Sequence, residues 1–171
     1  MLRCQRGDER AVGELIHEWQ DRLFYFLRRL VASEQDTWDV LQQTWLKVHR
    51  NIKTLKSPDR LPVWLYAIAR RTALSHLRGR YRREAVAEAH EDLTDVAAAE
   101  VTDAFDDAEQ VHQGLNRISP AHREILSLHF LEEFSVEDLS EILGIPPGTA
   151  KSRLFYAKRA LRAVLEGDCS P

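Results

Sequence analysis

The chain has 171 residues, enough for one ordinary domain or two small ones, and 44% of them are hydrophobic while 30% are charged. Only 7 glycines and 6 prolines argue against a loop-rich all-β fold, and no apolar run approaches the roughly 18 residues of a membrane span. Cys4 and Cys169 have no CxxC partner, and no signal peptide is visible. We therefore expect free thiols, a reducing compartment and a cytoplasmic protein.

The net charge of −3 is unevenly distributed. Between Arg83 and Arg117 there is no Lys or Arg, and ten acidic residues fall there. Without those ten, the rest of the chain has 24 basic residues and 17 acidic ones (27 less 10). The pattern indicates two basic ends joined by an acidic segment, so the whole-chain charge does not argue against a nucleic-acid partner.

The first half of the chain predicts two long helices. One is expected from about Asp8 to Val31, where apolar residues recur at the i, i+3, i+4 spacing of a packed helix. The second is expected from about Gln35 to Ile52, capped by Ser33 or Asp36. Beside its apolar face runs a second stripe, which combines polar groups with one leucine and suits a protein interface. This docking stripe consists of Asp39, Gln42, Gln43 and Leu46.

A proline-bounded loop, 54–62, leads into a third predicted helix from about Val63 to Arg83. No acidic residue lies between Asp59 and Glu84, while arginines interleave with Trp64, Tyr66 and Tyr81. Cations follow phosphates and aromatic rings stack on bases, so this composition suits an unstacked DNA strand. The alternative is that Trp64 and Tyr66 are core residues beside a solvated arginine face; Trp64 is expected to be partly buried, and the arginines to contact DNA. The candidate residues for this contact are Lys56, Arg60, Trp64, Arg70, Arg71 and Arg78.

The C-terminal third predicts a helix-turn-helix after an acidic linker at 84–105. Core is expected from Ile125, Leu126, Leu128, His129 and Phe130. Ser135 and Asp138 have capping-box spacing, Gly144 supplies a left-handed stop, and Pro146-Pro147 prevent continuation. The helix after this corner places basic and aromatic side chains opposite a buried stripe, as a DNA-reading helix does. The alternative at this point is an ordinary helical hairpin with a solvated basic face. The candidates are Thr149, Lys151, Ser152, Arg153, Phe155, Tyr156, Lys158 and Arg159.

No catalytic or metal-binding motif accompanies these helices. The chain has no Gly-rich phosphate loop, HExxH, GxSxG or spaced Cys/His cluster. His122 and His129 share roughly one helix face, but no further ligands lie nearby in sequence. We expect a protein that is not an enzyme and needs no cofactor or metal.

Three separated segments, in order, resemble the bacterial sigma factors of the extracytoplasmic-function group. Residues 39–48, DVLQQTWLKV, resemble the segment that docks on the clamp helices of the polymerase β′ subunit. Residues 63–73, VWLYAIARRTA, resemble the promoter-melting and minus-ten segment. Residues 145–154, IPPGTAKSRL, are similar to the minus-thirty-five reading helix.

The resemblance implies an all-α initiation factor with two small helical domains, 1–83 and 106–171, joined by the acidic linker. It implies that the docking stripe contacts core RNA polymerase, which also engages the chain through its β flap. It implies that the loop from Lys56 to Arg60 captures an extruded minus-ten base. Promoter DNA and a cognate anti-sigma protein are the other implied partners.

Three positions depart from the family pattern: Gln43 replaces a common Glu, Arg71 a common Asn, and Tyr156 a basic residue. The family's promoter preferences are therefore not carried over to this chain. One alternative function is a free-standing helix-turn-helix repressor with an N-terminal dimerisation domain, which would bind duplex operators alone. Another is a helical adaptor that binds only protein, which would show no salt-dependent DNA affinity.

Overall fold

The computed structural model describes residues 1–31, 33–87, 114–115 and 117–167. It divides into two compact units, Met1–Ala99 and Glu100–Pro171. Within the described residues the regular elements are all helices: α1 (Leu2–Gln5), α2 (Glu9–Arg28), α3 (Glu34–Asn51), α4 (Leu61–Ala87), α5 (Pro120–Phe130), α6 (Val136–Leu143) and α7 (Pro147–Gly167). Short 3-10 turns at Ile52–Thr54 and Pro58–Arg60 join α3 to α4. The all-α prediction is confirmed.

In the first unit α2, α3 and α4 pack on one another, with α1 against α2 and the first 3-10 turn. Asp8 caps α2 by accepting from the Ala11 N–H, and Ser33 caps α3 by accepting from the Asp36 N–H. The core includes Leu23, Leu27 and Leu65, all fully buried. Helix α4 begins two residues before its predicted start and extends to Ala87, so residues 84–87 of the predicted linker are helical. The rest of that linker lies outside the described residues.

Three buried threonines of this unit find hydrogen-bond acceptors for their hydroxyl groups within their own helices. Thr37, Thr44 and Thr72 are fully buried, and a buried hydroxyl without a partner is costly. Each donates to the carbonyl four residues earlier, at 2.8 Å.

Polar contacts connect the second half of α4 to the start of α3. His76 Nε2 and Arg80 Nη1 lie 3.4 and 3.3 Å from the two carboxylate oxygens of Asp36.

In the second unit α5 and α6 both pack on α7 around Ile125, Leu128 and Leu139. Ser119 caps α5 by accepting from the His122 N–H. Arg123 donates from Nε to the Leu115 carbonyl at 2.8 Å, and its burial lowers the pKa of the guanidinium. No helix of the described residues is long and apolar enough to cross a membrane.

The turn between α5 and α6 contains a strained residue. Glu133 has φ +59°, the left-handed region that costs a residue with a Cβ atom roughly 1–2 kcal/mol. We expect Glu133→Gly to raise the free energy of unfolding by about 0.5–1 kcal/mol, since the larger entropy of glycine in the unfolded chain offsets part of the gain. Urea unfolding followed by circular dichroism measures it. Glu133→Ala removes the same carboxylate but keeps the strain, so an equal gain in both variants would contradict this explanation.

Candidate functional site

The helix-turn-helix has the local geometry that its sequence predicted. The Ser135 hydroxyl caps the Asp138 N–H at 3.1 Å, while the Asp138 carboxylate accepts from the Ser135 N–H at 3.2 Å. Gly144 ends α6 with φ +64°, a conformation that suits glycine. Helix α7 then starts at Pro147, where proline is favoured because its missing N–H would be unpaired anyway. These local signals fix the corner between α6 and α7.

Helix α7 presents a polar and aromatic face opposite its buried one. Ala150, Leu154 and Ala157 face the core. Because helical residues are about 100° apart, Ser152 and Arg159 point in the opposite direction, with Phe155 and Tyr156 on either side of them. Both aromatic side chains are 57% exposed. Of the DNA contacts predicted on α7, all are exposed except Arg153, which is half-buried at the edge of the face. The exposed ones are Thr149, Lys151, Ser152, Phe155, Tyr156, Lys158 and Arg159.

Several of these side chains are held by one another. Phe155 and Tyr156 pack edge to face with ring centroids 5.5 Å apart, and the Arg159 guanidinium lies 5.9 Å from the Phe155 ring centroid. The Ser152 hydroxyl donates to the Thr149 carbonyl, which leaves the lone pairs of the Ser152 oxygen free to accept.

The prediction that Phe130 belongs to the core is wrong. Phe130 is 58% exposed at the end of α5, with the Lys158 ammonium 5.0 Å from its ring centroid.

The docking stripe lies on the exposed side of α3. Asp39, Gln42, Gln43 and Leu46 are all exposed, with Leu46 52% accessible. The opposite side of the helix carries Val40, Thr44 and Val48, which are buried. A leucine half in solvent, flanked by two amides and a carboxylate, is the composition of a polar-rimmed protein contact.

Beside the stripe the structure adds two apolar features that the sequence pattern did not indicate. A cavity of about 230 Å³ opens between α2 and α3, lined by Ile16, Trp45 and His49 and bordered by Gln42 and Leu46 of the stripe. Farther along the same pair of helices, the rings of Phe24 and Trp38 pack with centroids 4.4 Å apart, although Trp38 is 48% exposed. Only the pairing of two helices reveals these features, because both helices supply residues to each of them.

A second cavity, of about 370 Å³, lies between the end of α3 and the start of α4. It is within the size range of ligand sites and has mixed walls. Trp64 and Arg71 line one side, and the Lys47 ammonium donates to the Thr72 hydroxyl at 3.1 Å inside it. The complete lining is Lys47, Asn51, Thr54, Trp64, Ile68, Arg71 and Thr72. Lys47, Asn51 and Thr54 were not among the predicted site residues.

The predicted arginines of α4 do not all share one face. Arg71 and Arg78 are exposed and seven residues apart, hence on the side of the helix that carries Trp64. Arg70 is half-buried and about 100° around the helix from Arg71. On the preceding loop Lys56 is exposed, and Arg60, in the second 3-10 turn, is half-buried.

Of the two alternatives for Tyr66, the structure supports the core residue. Tyr66 is fully buried and its ring packs on Phe26 with centroids 5.0 Å apart. Trp64 is half-buried, as predicted, with part of it in the cavity wall. In the first turns of α4, buried residues such as Val63, Leu65 and Ala67 occupy most of the circumference, so the narrow exposed side is hard to read from the sequence there.

Comparison with known proteins places these surfaces in a family. The model of sigma-70 region 2 matches residues 15–83, and that of sigma-70 region 4 matches residues 108–161. The chain is 32% identical to the RNA polymerase sigma-H factor of Pseudomonas aeruginosa, over 96% of this chain and 91% of that protein. It is 31% identical to the ECF RNA polymerase sigma-E factor of Haemophilus influenzae, over 93% and 89%.

Solved structures agree. The sigma factor RpoE of Bartonella quintana, in complex with the anti-sigma factor NepR, superposes with a TM-score of 0.74 at 25% identity, covering 90% of this chain and 96% of that one. CnrH, solved with the cytosolic domain of CnrY, shares the fold with a TM-score of 0.69 at 22% identity, over 98% and 95%. The similarities do not support the repressor alternative. The chain belongs to the extracytoplasmic-function group of RNA polymerase sigma factors, and it is a transcription initiation factor.

Proposed function

We propose that this sigma factor acts in the cytoplasm, binding core RNA polymerase through its first domain and promoter DNA through both domains. The domains are residues 1–83 and 106–171, with 84–105 as the connection. The observation that carries the proposal is the face of α7, where cations and exposed aromatic rings surround Ser152 on a helix braced by α6. A helix held in this way fits the DNA major groove.

On α7 the proposed contacts divide by chemistry. Lys151, Lys158 and Arg159 carry positive charge toward phosphates or guanine edges. Ser152 contacts either, and the rings of Phe155 and Tyr156 offer apolar contact to thymine methyl groups. Thr149 and Arg153, four residues apart, lie at the same margin of this face. The proposed target is the minus-thirty-five element.

In the first domain the docking stripe is the proposed contact for the clamp helices of the β′ subunit. Its exposed Leu46 and the cavity beside it supply the apolar centre, while Asp39, Gln42 and Gln43 supply the polar rim. In the second domain the exposed Phe130 and Leu131 at the end of α5 are a proposed contact for the β flap. Because the RpoE neighbour was solved with an anti-sigma factor, we also propose regulation of this chain by a cognate anti-sigma protein.

The cavity between α3 and α4 is the proposed site for an extruded minus-ten base. Trp64 provides a ring for stacking, and Lys47, Asn51 and Arg71 provide polar groups for the base edge and its phosphate. Lys56 and Arg60 of the adjoining loop, with Arg70 and Arg78 of α4, supply further positive charge around it.

The docking proposal predicts that Asp39→Ala combined with Gln42→Ala weakens association with core polymerase about tenfold. Both side chains are exposed, so the free energy of unfolding should change by no more than about half a kcal/mol. Co-purification with tagged core enzyme, and the fluorescence titration that gives its Kd, measure the effect. The matched control is His17→Ala with Asp21→Ala, an exposed pair on α2 outside the stripe. Equal Kd values for the two double variants would refute the docking assignment.

A further inference from the structure

The side chain of Gln5 connects the first helix to the turn that follows α3. Its Nε2 donates to the carbonyl oxygen of Ile52 at 3.1 Å and to that of Leu55 at 2.8 Å. The Ile52 carbonyl also accepts from the Leu55 N–H at 3.3 Å, so the Gln5 amide adds a bond at each of the two residues that close this turn and fixes it. The two bonds join residues that are 47 and 50 positions apart, so local sequence patterns do not predict them.

Helix α1 is itself held in place, so Gln5 approaches the turn from a fixed position. Cys4 is 4% exposed, and Gly7 reverses the chain with φ +84°. Arg3 Nε donates to the Asp8 carboxylate at 2.9 Å, and this bond, followed by that from the Ala11 N–H, lowers the pKa of Asp8. The burial of Cys4 and the ion pair between Arg3 and Asp8 therefore hold α1 in place, and α1 in turn holds the side chain of Gln5.

The turn that Gln5 holds is a wall of the proposed base cavity. Thr54 lines the cavity and lies between the two bonded carbonyls of Ile52 and Leu55. Asn51, also in the wall, receives the Thr54 hydroxyl on its carbonyl at 2.7 Å. Trp64 and Arg71 of α4 line the same cavity. The position of the 51–55 wall relative to these two side chains sets the width of the cavity.

We propose that Gln5 is a positioning residue for base selection: its amide fixes the wall of the cavity against which the extruded minus-ten base is read. The inference rests on the proposed role of that cavity. It gives the N-terminal helix a part in promoter choice although that helix contributes no residue to the cavity lining. The property that matters is donation of hydrogen bonds, because both partners of Gln5 are carbonyl oxygens.

A donor series tests the proposal on the full chain assembled with core polymerase. Gln5→Met keeps the length and shape without a donor, Gln5→Glu places acceptors against the two carbonyls, and Gln5→Lys restores donors. A promoter that this holoenzyme transcribes from a genomic fragment library is randomised over its minus-ten region, and the transcripts are sequenced. We expect Gln5→Met and Gln5→Glu to lose about tenfold in preference at the most selective position, and Gln5→Lys to keep it. Leu2→Ala, exposed on α1, is the matched control and should keep it too.

Trp64→Ala separates this inference from the function on which it rests. If Trp64→Ala flattens base preference while Gln5→Met does not, Gln5 only packs and the positioning role is wrong. If neither substitution changes preference, the cavity does not read a base and both proposals fail. A loss of transcription by Gln5→Met that is uniform over all sequences, with preference unchanged, would also overturn the positioning role, because it would report only a weakened fold.

Discussion

Replacing Arg71 and Arg78 together by alanine is expected to reduce open-complex formation about 10- to 100-fold while leaving polymerase binding intact. Separating promoter strands costs a few kcal/mol for each unstacked step, and contacts to the displaced strand must offset that cost. A guanidinium can pair with phosphate and also lie flat on a base. Both arginines are exposed on the face of α4 that carries Trp64, so they can contribute to the same strand. Permanganate footprinting of unpaired thymines measures the opening.

Two controls make this experiment specific. Arg70→Ala removes a neighbouring charge that is half-buried and turned about 100° away, so its effect on opening should be much smaller. A template mismatched across the minus-ten region removes the opening cost, and on it the double variant should recover. Normal thymine reactivity of the double variant on fully paired DNA would show that the two arginines form only a solvated surface.

Replacing Lys151 and Arg159 together by alanine is expected to lower promoter affinity by about 10- to 100-fold or more and to weaken the dependence of that affinity on salt. Each phosphate contact that is lost should reduce the slope of log affinity against log salt by about one. If either side chain reads a base, about 1–3 kcal/mol of discrimination should also disappear at one minus-thirty-five position. The two outcomes are distinguished by measuring affinity at several salt concentrations on a set of single-base promoter variants, with the holoenzyme.

Arg162, another cation of α7, provides the matched control. Arg162 is paired with Glu166 on the same helix, and that bond raises the pKa of its guanidinium. It lies farther from the N-terminal turns of α7 that are proposed to meet DNA, so Arg162→Ala should leave the salt slope close to that of the unmodified protein. If Arg162→Ala and the double variant reduced the slope equally, the charge of the helix as a whole, and not the predicted face, would explain binding.

The parts of this protein that sequence reasoning predicted well are those decided within one helical turn. The capping box of Ser135 and Asp138, the left-handed Gly144 and the buried stripe of α7 depend on residues three or four apart. The docking stripe and most of the α7 face were predicted to be exposed for the same reason. Their contacts with polymerase and DNA remain predictions, because exposure does not identify a partner.

The parts that sequence reasoning missed depend on which helices meet. Phe130 was assigned to the core but is 58% exposed, and Tyr66 could not be assigned until the structure placed its ring against Phe26 of α2. In both cases the packing of neighbouring helices decides burial. The cavity wall formed by Lys47, Asn51 and Thr54 joins residues of α3 and its following turn to residues of α4. No periodicity within one segment indicates such a juxtaposition.

The bonds from Gln5 to the turn after α3 also constrain the order in which the first domain assembles. Domains form as the chain is synthesised from its N-terminus, and closing a long loop costs entropy that must be met before the contact stabilises anything. Gln5 is synthesised before α2 and α3, and its partner Leu55 follows 50 residues later. Helices α2 and α3 can pair in that interval through contacts of shorter sequence separation. The turn that forms the cavity wall is therefore expected to become fixed after α2 and α3 have paired.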